Sequence, residues 1–243
     1  MSSDKKAAFI YNNHLYFFSG PKYVIIALSP EQRVVRGPGD IKEDWTAFKH
    51  TGFSHIDCIL PVHDALYPGE FYVFSGDKYI WMKLDGAEPI NPVNSVQRSE
   101  VRSVSTNWSS LNKAGWNSVD AALLNIQKSG KSEKSPQEAF FWKNDHCINI
   151  TYIPGEDDGQ TTIVGPLKSE QMWSSFKSEN IVSMSTVFKD VDPTKFWVFY
   201  DNRSVIQVKY DGKTGSGSDW VELGKADVVH YFPALKDAFY PVQ

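Results

Sequence analysis

One short pattern occurs four times along the chain: an aromatic-rich run, a turn of Gly, Asn or Asp, and a second apolar run. The copies are LYFFSGPKYV from Leu15, FYVFSGDKYI from Phe71, AFFWKNDHCI from Ala139 and FWVFYDNRSV from Phe196. Gly, Asn and Asp tolerate the positive φ of a tight turn, and aromatic and β-branched residues favour strands. Each copy is therefore predicted to form a β-hairpin.

Two further motifs accompany every hairpin, one before it and one after it. The motifs before it are KAAF from Lys6, DCIL from Asp57, DAAL from Asp120 and VSMS from Val182. The motifs after it are WTAF from Trp45, WSSL from Trp108, WSSF from Trp173 and FPAL from Phe232. Small apolar residues suit a strand at a crowded centre, and residues three positions apart share one face of a helical turn. Each repeat is predicted to contain an inner strand, a hairpin, an outer strand and a short helix.

Four repeats of about 60 residues are each too small to bury a core alone, so they must pack together. Radial packing around an axis buries the sheet faces and leaves only short edges. The sequence thus predicts an all-β fold, a four-bladed β-propeller with a short helix at the outside of each blade. It forms one domain, residues 1–243, and the predicted blades are 5–50, 54–113, 117–178 and 179–241.

The junction between the fourth and first repeats is expected to be the weakest in the ring. The fourth inner strand, VSMS, departs most from the repeat, because Met184 replaces a small residue. The C-terminal text YFPALKDAFYPV is rich in aromatic residues. We therefore expect this segment to pack back on the N-terminal part of the chain.

Composition and charge exclude several classes of function. The 243 residues include 25 Lys and Arg against 29 Asp and Glu, a net charge of -4, which gives no basic surface for nucleic acid or an anionic membrane. No stretch has signal-peptide or membrane-spanning character, so we expect a cytoplasmic protein or an intracellular store without membrane insertion. Cys58 and Cys147 lie in apolar, strand-like text and are predicted to be buried free thiols.

No catalytic motif stands out. The chain lacks the G-x-S-x-G nucleophile elbow, and DGKTGSGSD from Asp211 lacks the spacing of a phosphate-binding loop. GEDDGQ from Gly155 lacks the D-x-D-x-D-G spacing of a calcium loop, and the six histidines show no zinc-site spacing. The sequence therefore predicts a protein that is not an enzyme.

The order of DAAL, the aromatic hairpin with DKY and WSSF resembles the hemopexin repeat. The whole chain is similar to the single-domain hemopexin-fold proteins of the legume seed albumin-2 group. That resemblance implies binding of a small ligand, haem or polyamine, in or near the propeller tunnel. Asp57 and Asp120 could give a polyamine a negative mouth, which Lys6 would oppose. The candidate axial donors for haem are His14, His63, His146 and His230.

The resemblance also implies a structural cation on the propeller axis, calcium or sodium, held by backbone carbonyl oxygens. The outer ring of carbonyls is expected at Lys6, Asp57, Asp120 and Val182. The inner ring is expected at Ala8, Ile59, Ala122 and Met184. The competing expectation is a tunnel that contains only water.

Two alternatives to the small-ligand carrier remain open. The first is a multivalent lectin that binds glycans on loops through an aromatic ring and polar partners, with candidates Trp116, Trp220 and Tyr67. The second is a storage or interaction module without a discrete small-molecule site. Most of the eight tryptophans are assigned to core packing, and a homo-oligomer stays open.

Overall fold

The computed structural model is a ring of four small antiparallel β-sheets. The structure describes residues 5–62, 66–85, 91, 94–125, 132, 135–156, 160–173, 184–190, 195–200, 204–210 and 220–239. Each sheet uses consecutive strands of the chain, and the strands lie side by side in sequence order. The sheets, numbered blades 1 to 4 in chain order, form the predicted four-bladed propeller.

Blades 1 and 2 occupy the N-terminal half of the chain. The elements of blade 1 are β1 Lys6–Tyr11, β2 His14–Ser19, β3 Lys22–Ala27, β4 Arg33–Asp40, α1 Ile41–Asp44 and a 3₁₀ turn at Thr46–Phe48. The elements of blade 2 are β5 Cys58–Pro61, β6 Glu70–Ser75, β7 Lys78–Leu84, β8 Ser95–Gln97, β9 Arg102–Ser103, α2 Val104–Asn107 and α3 Ser109–Lys113.

Blades 3 and 4 repeat the same order. The elements of blade 3 are β10 Ala121–Leu124, β11 Gln137–Lys143, β12 His146–Tyr152, β13 Thr161–Lys168 and α4 Ser169–Met172. The elements of blade 4 are β14 Met184–Lys189, β15 Lys195–Tyr200, β16 Ser204–Tyr210, β17 Trp220–Asp227, α5 Val228–Tyr231 and α6 Leu235–Phe239. In every blade the short helices follow the outer strand, as predicted.

The hairpin turns have the backbone geometry that the sequence predicts. Gly20, Gly76 and Asn144 begin the turns of the first three hairpins, with φ of 54°, 58° and 53°. Only glycine adopts such angles without steric cost, and asparagine is among the residues that tolerate them best. The fourth turn, residues 201–203, lies outside the described residues.

Four separate apolar cores fill the four gaps between neighbouring blades. Successive side chains of a strand point to opposite faces, so the inner strands of blades 1, 2 and 3 each contribute to two of these cores. Ala7 belongs to the core between blades 1 and 2, whereas Ala8 belongs to the core between blades 4 and 1. Aromatic rings of the hairpins meet across the gaps, as Phe9 and Phe71 do at 4.3 Å between ring centroids. The blades are therefore held together mainly by apolar packing.

The C-terminal segment packs on blade 1, as predicted. Phe232 and Leu235 are buried in the core that contains Phe17 of β2. The ring of Phe239 lies 5.4 Å from that of Phe17. These contacts close the ring between its last and first blades.

The register of the inner strand of blade 4 differs from the register that the sequence predicts. Met184 pairs with the last residue of β15 and Val187 pairs two residues earlier along β15, with a register shift between them. In blade 1 the residues with those pairings are Lys6 and Ala8. Met184 therefore has the outer-ring position predicted for Val182, and Val187 has the inner-ring position predicted for Met184. The sequence match was therefore displaced along the chain because VSMS lacks the pattern of the repeat, and a bulge adds one residue between the two positions. The ion-binding role of these positions stays a prediction.

Two smaller predictions can be compared with the structure directly. Cys58 and Cys147 are buried free thiols, as expected, and burial raises the pKa of both. Within the described ranges, none of the helices has the length and apolar character needed to cross a membrane.

Candidate functional site

A cavity of about 140 Å³ lies between blades 2 and 3. The aromatic side chains that line it are Tyr72, Tyr79, Trp81, Trp108 and Tyr152. The other lining residues are Arg98, Ser99, Arg102, Asn107, Gly155, Glu156 and Gln160. Apolar walls with a few polar groups are typical of sites for small molecules.

The cavity borders on an irregularity in blade 2. The outer strands of the other blades run for eight residues, whereas the outer strand of blade 2 is split into β8 and β9. In the interruption, the Arg98 N–H donates to the Trp81 carbonyl at 2.7 Å, and the Trp81 N–H donates to Ser99 Oγ at 2.9 Å. A side chain thus replaces part of the strand pairing, and Arg98 and Ser99 reach the cavity.

Tyr72 lies at the centre of the aromatic wall. Its ring centroid is 5.5 Å from those of Trp81 and Trp108 and 6.1 Å from that of Tyr152 in blade 3. Trp108 also contacts Tyr152 at 5.3 Å. Aromatic pairs at these distances stabilise one another beyond the area they bury, so the wall is preorganised.

Gly155 joins the two blades at the cavity. Its N–H donates to Tyr72 Oη at 2.8 Å, and its φ of +82° is one that side-chain-bearing residues rarely adopt. A Cβ at this position would lie 3.0 Å from the Trp81 ring. The cavity therefore requires glycine here, for both conformation and space.

The polar groups of the cavity supply more donors than acceptors. Burial raises the pKa of Tyr72, and the Gly155 N–H and the charge of Arg102 oppose this only in part, so the phenol keeps its proton. The indole Nε1 of Trp108 is buried, and it has no hydrogen-bond partner within the described part of the chain. Gln160 Nε2 donates to the Asn107 carbonyl at 2.6 Å. A ligand that offers acceptor oxygens would complement these groups.

Asp57 and Asp120, predicted to face a tunnel mouth, each cap the hairpin turn of their own blade. Asp57 Oδ2 accepts from the Gly76 N–H at 2.6 Å, and Asp120 Oδ2 accepts from the Asn144 N–H at 2.7 Å. The remaining oxygen of Asp120 lies 2.9 Å from the Lys5 ammonium of blade 1. Both carboxylates therefore have partners within the chain.

Comparison with known proteins supports the architecture. No family model matches the sequence, and no curated protein matches it. Among solved structures, the hemopexin fold protein CP4 from cow pea has 18% sequence identity and a TM-score of 0.79, over 99% of this chain and 100% of that one. The chain has the hemopexin fold.

Two further structural neighbours come from Cicer arietinum. A plant lectin with two metal binding sites has 16% identity and a TM-score of 0.77, over 98% of each chain. A plant albumin showing hemagglutination has 18% identity and a TM-score of 0.75, again over 98% of each chain. Identities this low establish the shared fold and leave the ligand of this chain to be argued from its own residues.

In the inner strands of three blades, the pairing with the hairpin shows which backbone groups face away from it. The Val62 N–H bonds to Glu70 in β6, and the Asn125 N–H bonds to Glu138 in β11. Backbone groups of an antiparallel strand alternate between its two sides, so those of Ile59 and Ala122 face away from their hairpins. In blade 1, the Lys5 carbonyl accepts a hydrogen bond from the Gly20 N–H. By the same alternation, the backbone groups of Lys6 and Ala8 face away from β2.

The axial calcium or sodium ion expected from the resemblance stays a prediction. The described side chains offer no group of three or more His, Cys, Asp or Glu that could hold a metal ion.

The described histidines proposed as haem donors lie on three different blades. His14 Nδ1 donates to the Asn12 carbonyl at 2.7 Å, and His146 Nδ1 lies 2.7 Å from Asp145 Oδ1. His230 is exposed on α5, with its ring 5.2 Å from that of Tyr231. The fourth candidate, His63, lies outside the described residues. Haem binding stays a prediction, as does polyamine binding.

The glycan candidates from the sequence only approach the cavity. Tyr67 contacts the cavity residue Trp81 edge-on at 5.7 Å, but it does not itself line the cavity. Trp116 is half-buried against the core between blades 2 and 3 and does not line the cavity. The side chain of Trp220 lies outside the described part of the structure.

The residues that do line the cavity were assigned to core packing or left unassigned from the sequence. Trp108 is indeed buried under its blade, at 2% exposure, yet it also forms part of the cavity wall. One signal was available: the text QRSEVR from Gln97 is polar where the other repeats carry a long outer strand. That break in the pattern marks the place where the outer strand of blade 2 is interrupted.

Proposed function

We propose that this hemopexin-fold protein is a non-enzymatic carbohydrate-binding protein whose site is the cavity between blades 2 and 3. The observation that carries the proposal is the wall of five aromatic rings edged by arginine, amide and carboxylate groups. A sugar ring has apolar C–H faces that pack on aromatic rings and hydroxyl edges that need polar partners. The cavity offers both in one place.

The size of the cavity favours a single sugar ring. An engineered cavity of about 150 Å³ in another protein accommodates benzene, which is also a six-membered ring. A cavity of about 140 Å³ can therefore receive one face of a pyranose unit and is too small to enclose a haem. The descriptions of the two Cicer arietinum neighbours, a lectin and an albumin showing hemagglutination, support carbohydrate binding on this fold.

Titration calorimetry with a panel of neutral and acidic monosaccharides tests this proposal. We expect at least one sugar to bind, and Trp81→Ala to weaken its affinity at least tenfold, because the substitution removes half-buried aromatic wall. The matched control is Tyr231→Ala, which removes another half-buried ring, packed on Trp197 in blade 4. The control should bind like the parent.

Two outcomes would contradict the proposal. The first is the absence of binding across the whole panel. The second is a loss of sugar binding in Trp116→Ala with none in Trp81→Ala, which would move the site to the loop position predicted from the sequence.

A further inference from the structure

Among the described residues that line the cavity, the charged side chains are the guanidinium groups of Arg98 and Arg102 and the carboxylate of Glu156. Guanidinium and indole groups only donate hydrogen bonds, so Arg98, Arg102, Trp81 and Trp108 cannot accept one from a ligand. A sugar with hydroxyl groups alone would use this excess of donors poorly.

The guanidinium of Arg98 has unused hydrogen-bond donors. Its guanidinium lies 3.9 Å from Glu70 Oε1, an ion-pair distance that exceeds that of a hydrogen bond. Its side chain is 51% exposed, and within the described ranges no side-chain hydrogen bond of Arg98 is formed. The planar fork of five N–H donors is therefore available to an acceptor in the cavity.

Arg102 and Trp108 line the same cavity. The charge of Arg102 acts on the hydroxyl of Tyr72, the ring at the centre of the wall. Trp108 is 98% buried, since its exposure is only 2%, and its indole N–H still lacks an acceptor among the described residues. Because this nitrogen is itself buried, the contacts with a ligand carboxylate fall to the guanidinium groups.

We propose that the ligand is an acidic sugar, a pyranose with a carboxylate of the uronic acid type, whose carboxylate is bound by Arg98 with the charge of Arg102 nearby. This inference rests on the proposed carbohydrate-binding function and adds its ligand class. Arginine and carboxylate form paired, charge-assisted hydrogen bonds, which are stronger than neutral ones. The sugar ring packs on the aromatic wall while the carboxylate meets the arginines.

The test compares D-glucuronate with D-glucuronamide, which has nearly the same shape and no charge, and with D-glucose. We expect glucuronate to bind at least tenfold more tightly than either neutral sugar, as the loss of a charged hydrogen bond implies. Arg98→Gln and Arg102→Gln should each remove most of this preference, because they weaken glucuronate binding more than glucuronamide binding. Arg33→Gln, at an exposed arginine of β4, is the matched control and should keep the preference.

Thermal unfolding of every variant checks its fold. Arg98→Lys keeps the positive charge but loses the planar guanidinium, so its affinity for glucuronate should be intermediate. Equal binding of all three sugars, unaffected by the arginine variants, would overturn the acidic-sugar inference and leave the proposed function intact. Binding of none of the three would also overturn it, and the wider sugar panel would then decide the proposed function separately.

Discussion

Asp120 joins two blades that face each other across the ring. Its carboxylate accepts from the Asn144 N–H at 2.7 Å in its own blade and pairs with Lys5 of blade 1 at 2.9 Å. Lys143 approaches the same oxygen at 3.5 Å. Burial alone would raise the pKa of Asp120, but the Asn144 hydrogen bond and the two ammonium groups outweigh it and lower the pKa. The carboxylate therefore contributes to stability while it is ionised.

We expect Asp120→Asn to lower the free energy of unfolding by roughly 2 kcal/mol at pH 7, since it removes charged hydrogen bonds at a buried site. The folded-state pKa lies below the ordinary value of 3.8, so the contribution is fully present above that pH and is lost as the pH falls through the folded-state pKa. Denaturant titrations from pH 7 to pH 2 measure this difference between variant and parent.

The difference should shrink below about pH 4. Asp85→Asn is the control, because Asp85 is 59% exposed and pairs with Lys83 only at the surface. A difference between Asp120→Asn and the parent that stays constant down to pH 2 would contradict the role assigned to the charge.

At the scale of elements, the outer strands combine exposed edges with exposed apolar side chains. Ile163 and Leu167 of β13 are 46% and 38% exposed, and Val34 of β4 is 40% exposed. Pro38 and Pro166 lie in these two strands and remove a backbone donor from each. Proline in an edge strand hinders pairing with another chain, so these edges are partly protected against aggregation.

We expect Ile163→Lys to reduce aggregation at high concentration and to change the free energy of unfolding by no more than about 0.5 kcal/mol, because the side chain is exposed. Thr161→Lys adds the same charge on the same strand without removing apolar surface, and should reduce aggregation less. Light scattering during slow concentration measures the effect. Equal aggregation of Ile163→Lys and the parent would show that Ile163 on the β13 edge does not drive aggregation.

The sequence predicted those elements whose signal repeats and missed those that depart from the repeat. The hairpins were predictable because each copy carries its own turn residues, such as Gly20 and Gly76, between aromatic runs. The register of β14 was not, since VSMS lacks the small apolar pattern that marks the other inner strands. The cavity also escaped, because it needs Tyr72 and Gly155, which are 83 residues apart in the chain, to meet across two blades.

At the scale of the whole molecule, closure of the ring depends on the core between blades 4 and 1. Phe232 lies there between Trp197 and Phe199, at 5.0 Å and 5.7 Å between ring centroids. Gln32 Nε2 of blade 1 donates to the Tyr231 carbonyl at 2.8 Å. The segment after β17 thus ties the last blade to the first through apolar packing and a hydrogen bond.

We expect deletion of residues 232–243 to abolish cooperative unfolding, because it exposes this core on both sides. Phe232→Ala should keep the fold and cost about 3–5 kcal/mol, as expected for loss of a buried aromatic side chain. Lys236→Ala, at an exposed position of α6, should behave like the parent. Calorimetry measures all three, and a truncated chain that melts as sharply as the parent would contradict the prediction.

Each blade is built from one uninterrupted stretch of chain, so the described sheets share no strand. Where a chain begins and ends around such a ring is therefore arbitrary with respect to its hydrogen-bonded ladders. A circular permutant that starts at blade 2 and ends with blade 1 would keep every ladder among the described strands. It would lose the connection from blade 1 to blade 2 and gain one from blade 4 to blade 1.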